Sequence, residues 1–147
     1  MIETAFFDTN VLVYMHDRRL PEKRAVAREL FERYFSQRKG ILSTQVIQEF
    51  FVSITGKAAR LPVPQAKELV TDYLRLNVVV VRPAHILDAI DLQTRLQISF
   101  WDGLILAAAK LAGASILFSE DFSHGRIYDG IRVENPFRST RRSLSTQ

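Results

Sequence analysis

Residues 5–14 have the sequence Ala5-Phe6-Phe7-Asp8-Thr9-Asn10-Val11-Leu12-Val13-Tyr14. The apolar run that ends at Asp8 begins at Ile2, and a run of this kind is typical of a strand buried on both faces of a parallel sheet. A carboxylate at the end of such a strand is costly to bury unless a partner compensates it. Asp8 therefore has two interpretations: it caps a following turn or helix, or it belongs to a functional site.

Strands and helices are predicted to alternate along the rest of the chain. The predicted helices span about residues 21–38, 45–55, 64–74, 83–96 and 99–112, and the predicted strands span residues 41–42, 78–81, 114–119 and 131–133. The four valines Val78–Val81 indicate a strand buried on both faces. In the helix that begins at Pro83, we expect Ile86, Leu87 and Ile90 to face the core.

This alternation predicts an α/β fold, a helix–parallel sheet–helix sandwich in a single domain. We place the domain at residues 1–137 of the 147, followed at residues 138–147 by a polar, basic tail that we expect to be poorly ordered. The absence of Cys excludes disulfides and thiolate metal sites and favours a cytoplasmic protein. No stretch approaches the roughly 18 apolar residues of a membrane span, and residues 1–4 lack the basic start of a signal peptide.

The charge pattern favours an anionic partner. The formal net charge is +4, and 15 of the 20 basic residues are Arg. The guanidinium group binds phosphate through two parallel hydrogen bonds, so this composition suits a nucleic acid. Most of the individual arginines are nevertheless expected to be ordinary solvated surface residues.

Four acids occupy comparable positions in the predicted fold. Asp8 and Asp121 follow strands, Asp102 lies in the first turn of a helix, and Glu49 lies at the edge of an apolar helical face. Taken singly, Asp102 suits a capping box with Ser99, and Glu49 suits an ion pair. In a parallel sheet, however, the carboxyl ends of the strands and the starts of the following helices lie at one edge, where ligands bind. Four carboxylates at that edge repel one another unless they are protonated or bind a cation.

Oxygen ligands without Cys or clustered His select a hard ion, Mg²⁺ or Mn²⁺. A metal ion held by carboxylates supports phosphodiester hydrolysis, because it activates water and stabilises the leaving oxygen. The acids also lie in segments that resemble the four acidic blocks of the PIN-domain nucleases. Length and spacing are most similar to the single-domain VapC-type ribonuclease toxins of toxin–antitoxin pairs, up to about Pro136. The segments are FDTNVL at residues 7–12, QVIQEF at 45–50, SFWD at 99–102 and SEDF at 119–122.

The resemblance implies Mg²⁺- or Mn²⁺-dependent endonucleolytic cleavage of RNA, a homodimer and a cognate antitoxin. It implies that the catalytic acids, which also bind the metal, are Asp8, Glu49, Asp102 and Asp121. Asn10 and Ser119 would support them through polar contacts, and Ser119 keeps the hydroxyl of the Thr that the family often has there. Glu120 is interpreted either as an additional ligand or as a solvated neighbour.

The predicted partners follow from surface chemistry. Helices 21–38 and 64–74 have more aromatic and aliphatic surface than a small monomer readily hides, which predicts a dimer face and a groove for an antitoxin segment. The antitoxin is expected to direct an Arg or Lys toward the acids. Single-stranded RNA is the expected substrate, because a splayed strand can bring a phosphate into a pocket that a duplex cannot enter. Structured RNA is the alternative substrate.

Other interpretations have less support. A catalytically weak RNA-binding module of the same fold has no need for all four acids. A phosphotransfer receiver needs an acceptor Asp on a middle strand, and Val78–Val81 is followed by Arg82 instead. His16, His85 and His124 lack metal-ligand spacing and are interpreted as structural or surface residues. Arg126, after the last acid, either contacts phosphate or lies in an exposed loop.

Overall fold

The computed structural model describes residues 2–138. Its strands are β1 Ala5–Phe7, β2 Gly40–Ser43, β3 Val78–Val79, β4 Ile116–Phe118, β5 Ile127–Tyr128 and β6 Ile131–Glu134. They form one sheet in the spatial order β3-β2-β1-β4-β6-β5, in which all neighbours are parallel except β5 and β6. The predicted parallel α/β architecture is therefore confirmed.

Six helices connect and flank the strands. They are α1 Thr9–Tyr14, α2 Pro21–Ser36, α3 Thr44–Thr55, α4 Val63–Leu74, α5 Pro83–Leu96 and α6 Phe100–Leu111. Two of them begin as the sequence predicts, because the hydroxyl of Ser43 accepts the backbone N–H of Val46, and that of Ser99 accepts the N–H of Asp102. No helix within residues 2–138 is long and apolar enough to cross a membrane.

The central strand β1 is completely buried, as its apolar sequence predicts. The ring of Phe7 packs edge-on against Phe31 and Tyr34 of α2 and lies 5.2 Å from the ring of Phe118 on β4. Beyond the strand, the backbone N–H of Asp8 donates to the Phe118 carbonyl. This packing fixes the carboxyl ends of β1 and β4 side by side.

Two predictions about burial are wrong. The segment after α4 is not a fully buried strand: only Val78 and Val79 pair with the sheet, β3 lies at its edge, and Val80 is half exposed. A strand at the edge of a sheet has a neighbouring strand on one side only, so these valines are only partly buried.

The second error concerns α5. Ile86, Leu87 and Ile90 face outward, and the helix instead buries His85, Ala89 and Leu92. The reason is the close approach of α6, where a methyl group on Gly103 would come within 2.7 Å of the Ala89 carbonyl oxygen. Such a short helix–helix distance selects small side chains for the interface and leaves the large aliphatic ones outside.

The structure also contains the short strand β5, which the sequence did not predict, and the short helix α1, which only the capping interpretation of Asp8 anticipated. Helix α2 ends at Ser36, two residues before the predicted end. Residues 139–147 of the predicted basic tail lie outside the described residues, so its poor ordering stays a prediction.

Candidate functional site

Asp8 is the most buried of the four predicted acids, with a relative exposure of 5%. It is the N-cap of α1, and its Oδ1 accepts the backbone N–H of Thr9 at 2.7 Å. Its Oδ2 accepts the hydroxyl of Ser119 at 2.7 Å. The capping interpretation of Asp8 is therefore confirmed, because Oδ1 caps the helix, while Oδ2 links the ends of β1 and β4.

The pKa of Asp8 is raised to about 7. Burial is the main cause, since it penalises the charged carboxylate. The hydrogen bonds from Ser119 and Thr9 favour the ionised form and partly oppose burial, whereas the negative charges of Asp121 and Glu49 raise the pKa further. Asp8 is thus sensitive to the charge of two other predicted acids.

Asn10 and Ser119, the two predicted supporting residues, both contact Asp121. The buried Ser119 hydroxyl accepts the backbone N–H of Asp121 at 3.0 Å while it donates to Asp8. The amide nitrogen of Asn10 donates to Oδ2 of Asp121 at 3.1 Å. The Ser119 hydroxyl therefore connects Asp8, which follows β1, to Asp121, which follows β4. The Asn10 amide adds a contact between α1 and Asp121.

Asp102 and Glu49 belong to the same electrostatic cluster. Burial is the main cause that raises the pKa of Asp102, and the charge of Asp121 raises it further. A hydrogen bond with the Ser99 side chain lowers the pKa and partly opposes these two effects. Glu49 has an exposed side chain at the rim, yet its pKa is raised, mainly because surrounding protein displaces part of its hydration and then because Asp102 and Asp121 repel it. The fold thus brings all four predicted acids into one cluster.

No salt bridge within residues 2–138 involves any of the four acids. The ion pair that would explain Glu49 structurally is therefore missing from the described part of the chain. The same residues contain no three acid or imidazole groups already spaced to hold a metal ion. An all-oxygen donor set in which the charge of Asp121 raises the pKa of Asp8, Glu49 and Asp102 fits a hard divalent cation.

Glu120 contacts two residues outside this cluster. Its Oε1 accepts the hydroxyl of Tyr14 at 2.6 Å, and its Oε2 forms a salt bridge of 3.0 Å with Lys23. The side chain of Glu120 is only 10% exposed. The interpretation of Glu120 as a solvated neighbour is therefore wrong, and these contacts bind the β4 end to α1 and α2.

Gln45 is a site residue that the sequence analysis missed. It is 5% exposed, and its Nε2 donates to the Trp101 carbonyl at 3.2 Å. It also lowers the pKa of Glu49, one helical turn further along α3. Gln45 therefore joins the helix of Glu49 to the helix of Asp102. A buried amide four residues before an acid is the only signal that the sequence offers.

Two buried oxygens near the acids have no hydrogen-bond partner within the described residues. They are Oε1 of Gln45 and the hydroxyl of Thr9, which follows Asp8. Unpaired buried acceptors are uncommon and call for an explanation such as water or an ion. Gln45 contacts Glu49, and Thr9 follows Asp8 in the chain, so an unpaired oxygen on each is a second observation that fits a hydrated cation.

The histidines have structural roles, as the sequence analysis suggested. The ring of His85 accepts the Arg82 N–H, His124 accepts the Asn135 N–H, and Nε2 of His16 lies 2.7 Å from the Tyr73 hydroxyl. Arg126 lies in an exposed loop with its guanidinium over the Tyr128 ring.

Comparison with known proteins agrees with this architecture. The structure resembles a toxin–antitoxin complex from Klebsiella pneumoniae (TM-score 0.64, 18% identity, 90% of this chain and 97% of that one). It also resembles VapC20, described as a sarcin–ricin loop cleaving toxin, from Mycobacterium tuberculosis (0.59, 16%, 80% and 89%), and DNA-bound VapBC from Salmonella typhimurium (0.66, 16%, 92% and 99%). No curated protein sequence matches the chain significantly. The family model of the PIN domain matches residues 5–130, and the chain therefore belongs to the PIN-domain family.

Proposed function

We propose that the chain is a divalent-cation-dependent endoribonuclease and the toxin of a toxin–antitoxin pair. The observation that supports this most is the cluster of Asp8, Glu49, Asp102 and Asp121, which lacks a cationic partner within residues 2–138. Membership of the PIN-domain family and the likeness to VapC20 support the assignment to RNA cleavage.

The same four residues would hold Mg²⁺ or Mn²⁺. A bound ion would activate water and stabilise the charge that develops on the phosphoryl and leaving oxygens. The chain's own contribution is to orient the carboxylates that would bind the ion. The Ser119 hydroxyl and the Thr9 N–H fix both oxygens of Asp8, and the Asn10 amide fixes one oxygen of Asp121. Without a cation, Asp8 keeps its proton up to about pH 7.

RNA is the substrate that best suits the rest of the molecule. The net charge of +4 attracts a polyanion. A single strand can fold around the rim and present one phosphate to the acids, which a rigid duplex cannot.

The experiment is cleavage of labelled single-stranded and hairpin RNA with Mg²⁺, Mn²⁺ or chelator, followed by mapping of the cut ends. We expect internal cuts with either metal and none in chelator. Undiminished cutting in chelator would contradict cation dependence, and binding without cutting under all conditions would favour an RNA-binding module.

We further propose that an antitoxin segment binds the cleft between the end of α1 and helices α2, α3 and α4. The cleft has a volume of about 790 Å³. Aliphatic residues such as Val13, Ile54 and Leu69 line it, and five cations surround them: Arg18, Arg19, Arg24, Arg28 and Lys57. This combination suits a peptide with alternating aliphatic and acidic side chains. Toxin–antitoxin complexes among the similar structures support such a partner.

For the proposed homodimer, we place the contact on α5. The large exposed hydrophobic side chains of residues 2–138 include Ile86, Leu87 and Ile90 of α5. The sequence favoured α2 and α4 instead; α2 contributes no such side chain, and α4 contributes Val63 and Leu74. An apolar face of this kind on a small domain commonly marks an interface. Light scattering should give twice the monomer mass at tens of micromolar, and Leu87→Glu should give the monomer. A monomeric parent would exclude the dimer.

A further inference from the structure

Trp101 is an exposed aromatic residue beside the acidic cluster. It is the only Trp of the chain, its relative exposure is 64%, and it directly precedes Asp102 in the first turn of α6. A Trp side chain offers more apolar area than any other residue, so leaving it in water forgoes a large gain from burial. Such a residue at the edge of a site is a candidate for ligand contact.

Buried contacts hold Trp101 in place despite its exposure. Its carbonyl accepts the amide of Gln45, which is itself 5% exposed. Its ring meets the ring of Phe100 edge-on, with a centroid distance of 5.1 Å and an interplanar angle of 79°. The backbone is therefore anchored to α3, and one ring edge is supported by a neighbour. An anchored aromatic ring binds a flat ligand at a smaller entropic cost than a free one.

Trp101 precedes Asp102 on α6, so its indole leaves the helix next to one of the four acids. Successive side chains on a helix diverge by about 100°, so Trp101 and Asp102 point to adjacent sectors of α6. Gln45, which holds the Trp101 carbonyl, is one turn from Glu49 on α3. If the phosphate of a ligand reached the acids, the part of the ligand next to that phosphate would therefore lie near the indole.

We infer that Trp101 stacks on an RNA base next to the phosphate that the acids address, and that it is a substrate-binding residue. This inference rests on the proposed ribonuclease function. Aromatic rings stack on any base, because every base has a flat π face, and single-stranded RNA presents its bases unpaired. The residue would therefore favour single strands over duplexes without selecting a sequence.

A protein partner is the competing occupant, and the position of Trp101 argues against it. The cleft proposed for the antitoxin is lined by residues of α1 to α4 and the segments between them, and Trp101 is not among them. The RNA, in contrast, must reach Asp102 for the proposed reaction. Trp101 is thus nearer to the required path of the substrate than to the cleft.

Because the chain has one Trp, fluorescence excited at a wavelength that the four Tyr residues do not absorb reports on this residue alone. The cleavage-deficient Asp8→Asn variant should be titrated with a short single-stranded RNA and with an abasic ribose-phosphate oligomer of equal length, while anisotropy measures binding. We expect saturable quenching by the RNA and little by the abasic oligomer. Equal quenching by both, or RNA binding without quenching, would overturn the inference, as would the absence of RNA binding. Quenching by antitoxin or by self-association alone would assign the indole to a protein contact.

Kinetics provide the second test. In the otherwise unchanged protein, Trp101→Ala should raise KM for single-stranded RNA about 5- to 100-fold with little change in kcat, and Trp101→Phe should retain part of the affinity. The control is Ile127→Ala, which removes an equally exposed apolar side chain from β5 at the far edge of the sheet. An unchanged KM in Trp101→Ala would contradict stacking. If RNA quenches the indole but the parent never cleaves, the proposed function fails while the base contact stands.

Discussion

Asp8→Asn is expected to reduce the rate of RNA cleavage by about 10³-fold while the fold and the RNA affinity stay nearly unchanged. The substitution keeps the size of the side chain and an oxygen for the Thr9 N–H, but it removes one negative charge from the cluster. A cation contributes several kcal/mol to transition-state stabilisation in such reactions, and each 1.36 kcal/mol corresponds to about tenfold in rate. RNA affinity depends instead on Arg and Lys contacts to phosphates and should fall with added salt in both proteins.

Initial rates on a labelled single strand, circular dichroism and RNA anisotropy measure the three properties separately. Asp129→Asn is a suitable control, because this carboxylate forms salt bridges with Arg95 and Lys110 and is not among the acids whose charges raise the pKa of Asp8. It should cleave like the parent. Parent-like cleavage by Asp8→Asn would exclude a role for Asp8 in the reaction.

The same substitution should also change how stability depends on pH in the absence of metal. The pKa of Asp8 is about 7 in the folded protein and 3.8 in the reference state. The folded state therefore binds the proton more tightly, and the stability that this proton contributes is lost as the pH rises toward and through 7. Between pH 5 and pH 8 the parent should lose roughly 2–3 kcal/mol of unfolding free energy from this group alone.

Asp8→Asn has no such titration, so its stability should fall less over the same range. Urea unfolding of both proteins in chelator, at several pH values from 5 to 8, gives the difference directly. Asp102, whose pKa is also raised, is not among the charges that act on Asp8, so its contribution cancels in the comparison, whereas Glu49 is coupled to Asp8 and contributes to the difference. Parallel stability curves would show that Asp8 is not held in its protonated form.

The sequence predicted the positions of the acids better than it predicted the packing around them. Asp8 and Asp121 follow buried runs, and parallel strands bring such ends together, so topology alone places them. The outward face of α5 was not predictable in the same way. Helical periodicity predicts that the largest apolar face is buried. The close contact of Gly103 with Ala89 instead requires small residues at the interface between α5 and α6.

Contacts between distant segments were also beyond sequence reasoning. The position of Glu120 depends on Tyr14 and Lys23, which are 106 and 97 residues away along the chain. A carboxylate next to Asp121 has the chemistry of a ligand, and only the tertiary structure shows that a Lys engages it. Gln45 likewise acquires its role from the Trp101 carbonyl on another helix.

The most direct test of the acidic cluster is the effect of Mg²⁺ on thermal unfolding without RNA, in the parent, Asp102→Asn and Glu120→Gln. A ligand that binds only the folded state stabilises it by mass action, so Mg²⁺ at 100 times its dissociation constant should raise the parent's melting temperature by roughly 5–10 °C. The increase should be clearly smaller in Asp102→Asn, whose metal-free form should be at least as stable as the parent. Glu120→Gln should melt lower in chelator but keep the full increase, since its carboxylate pairs with Lys23. An equal Mg²⁺ effect on the parent and Asp102→Asn would contradict a cation site built on these acids.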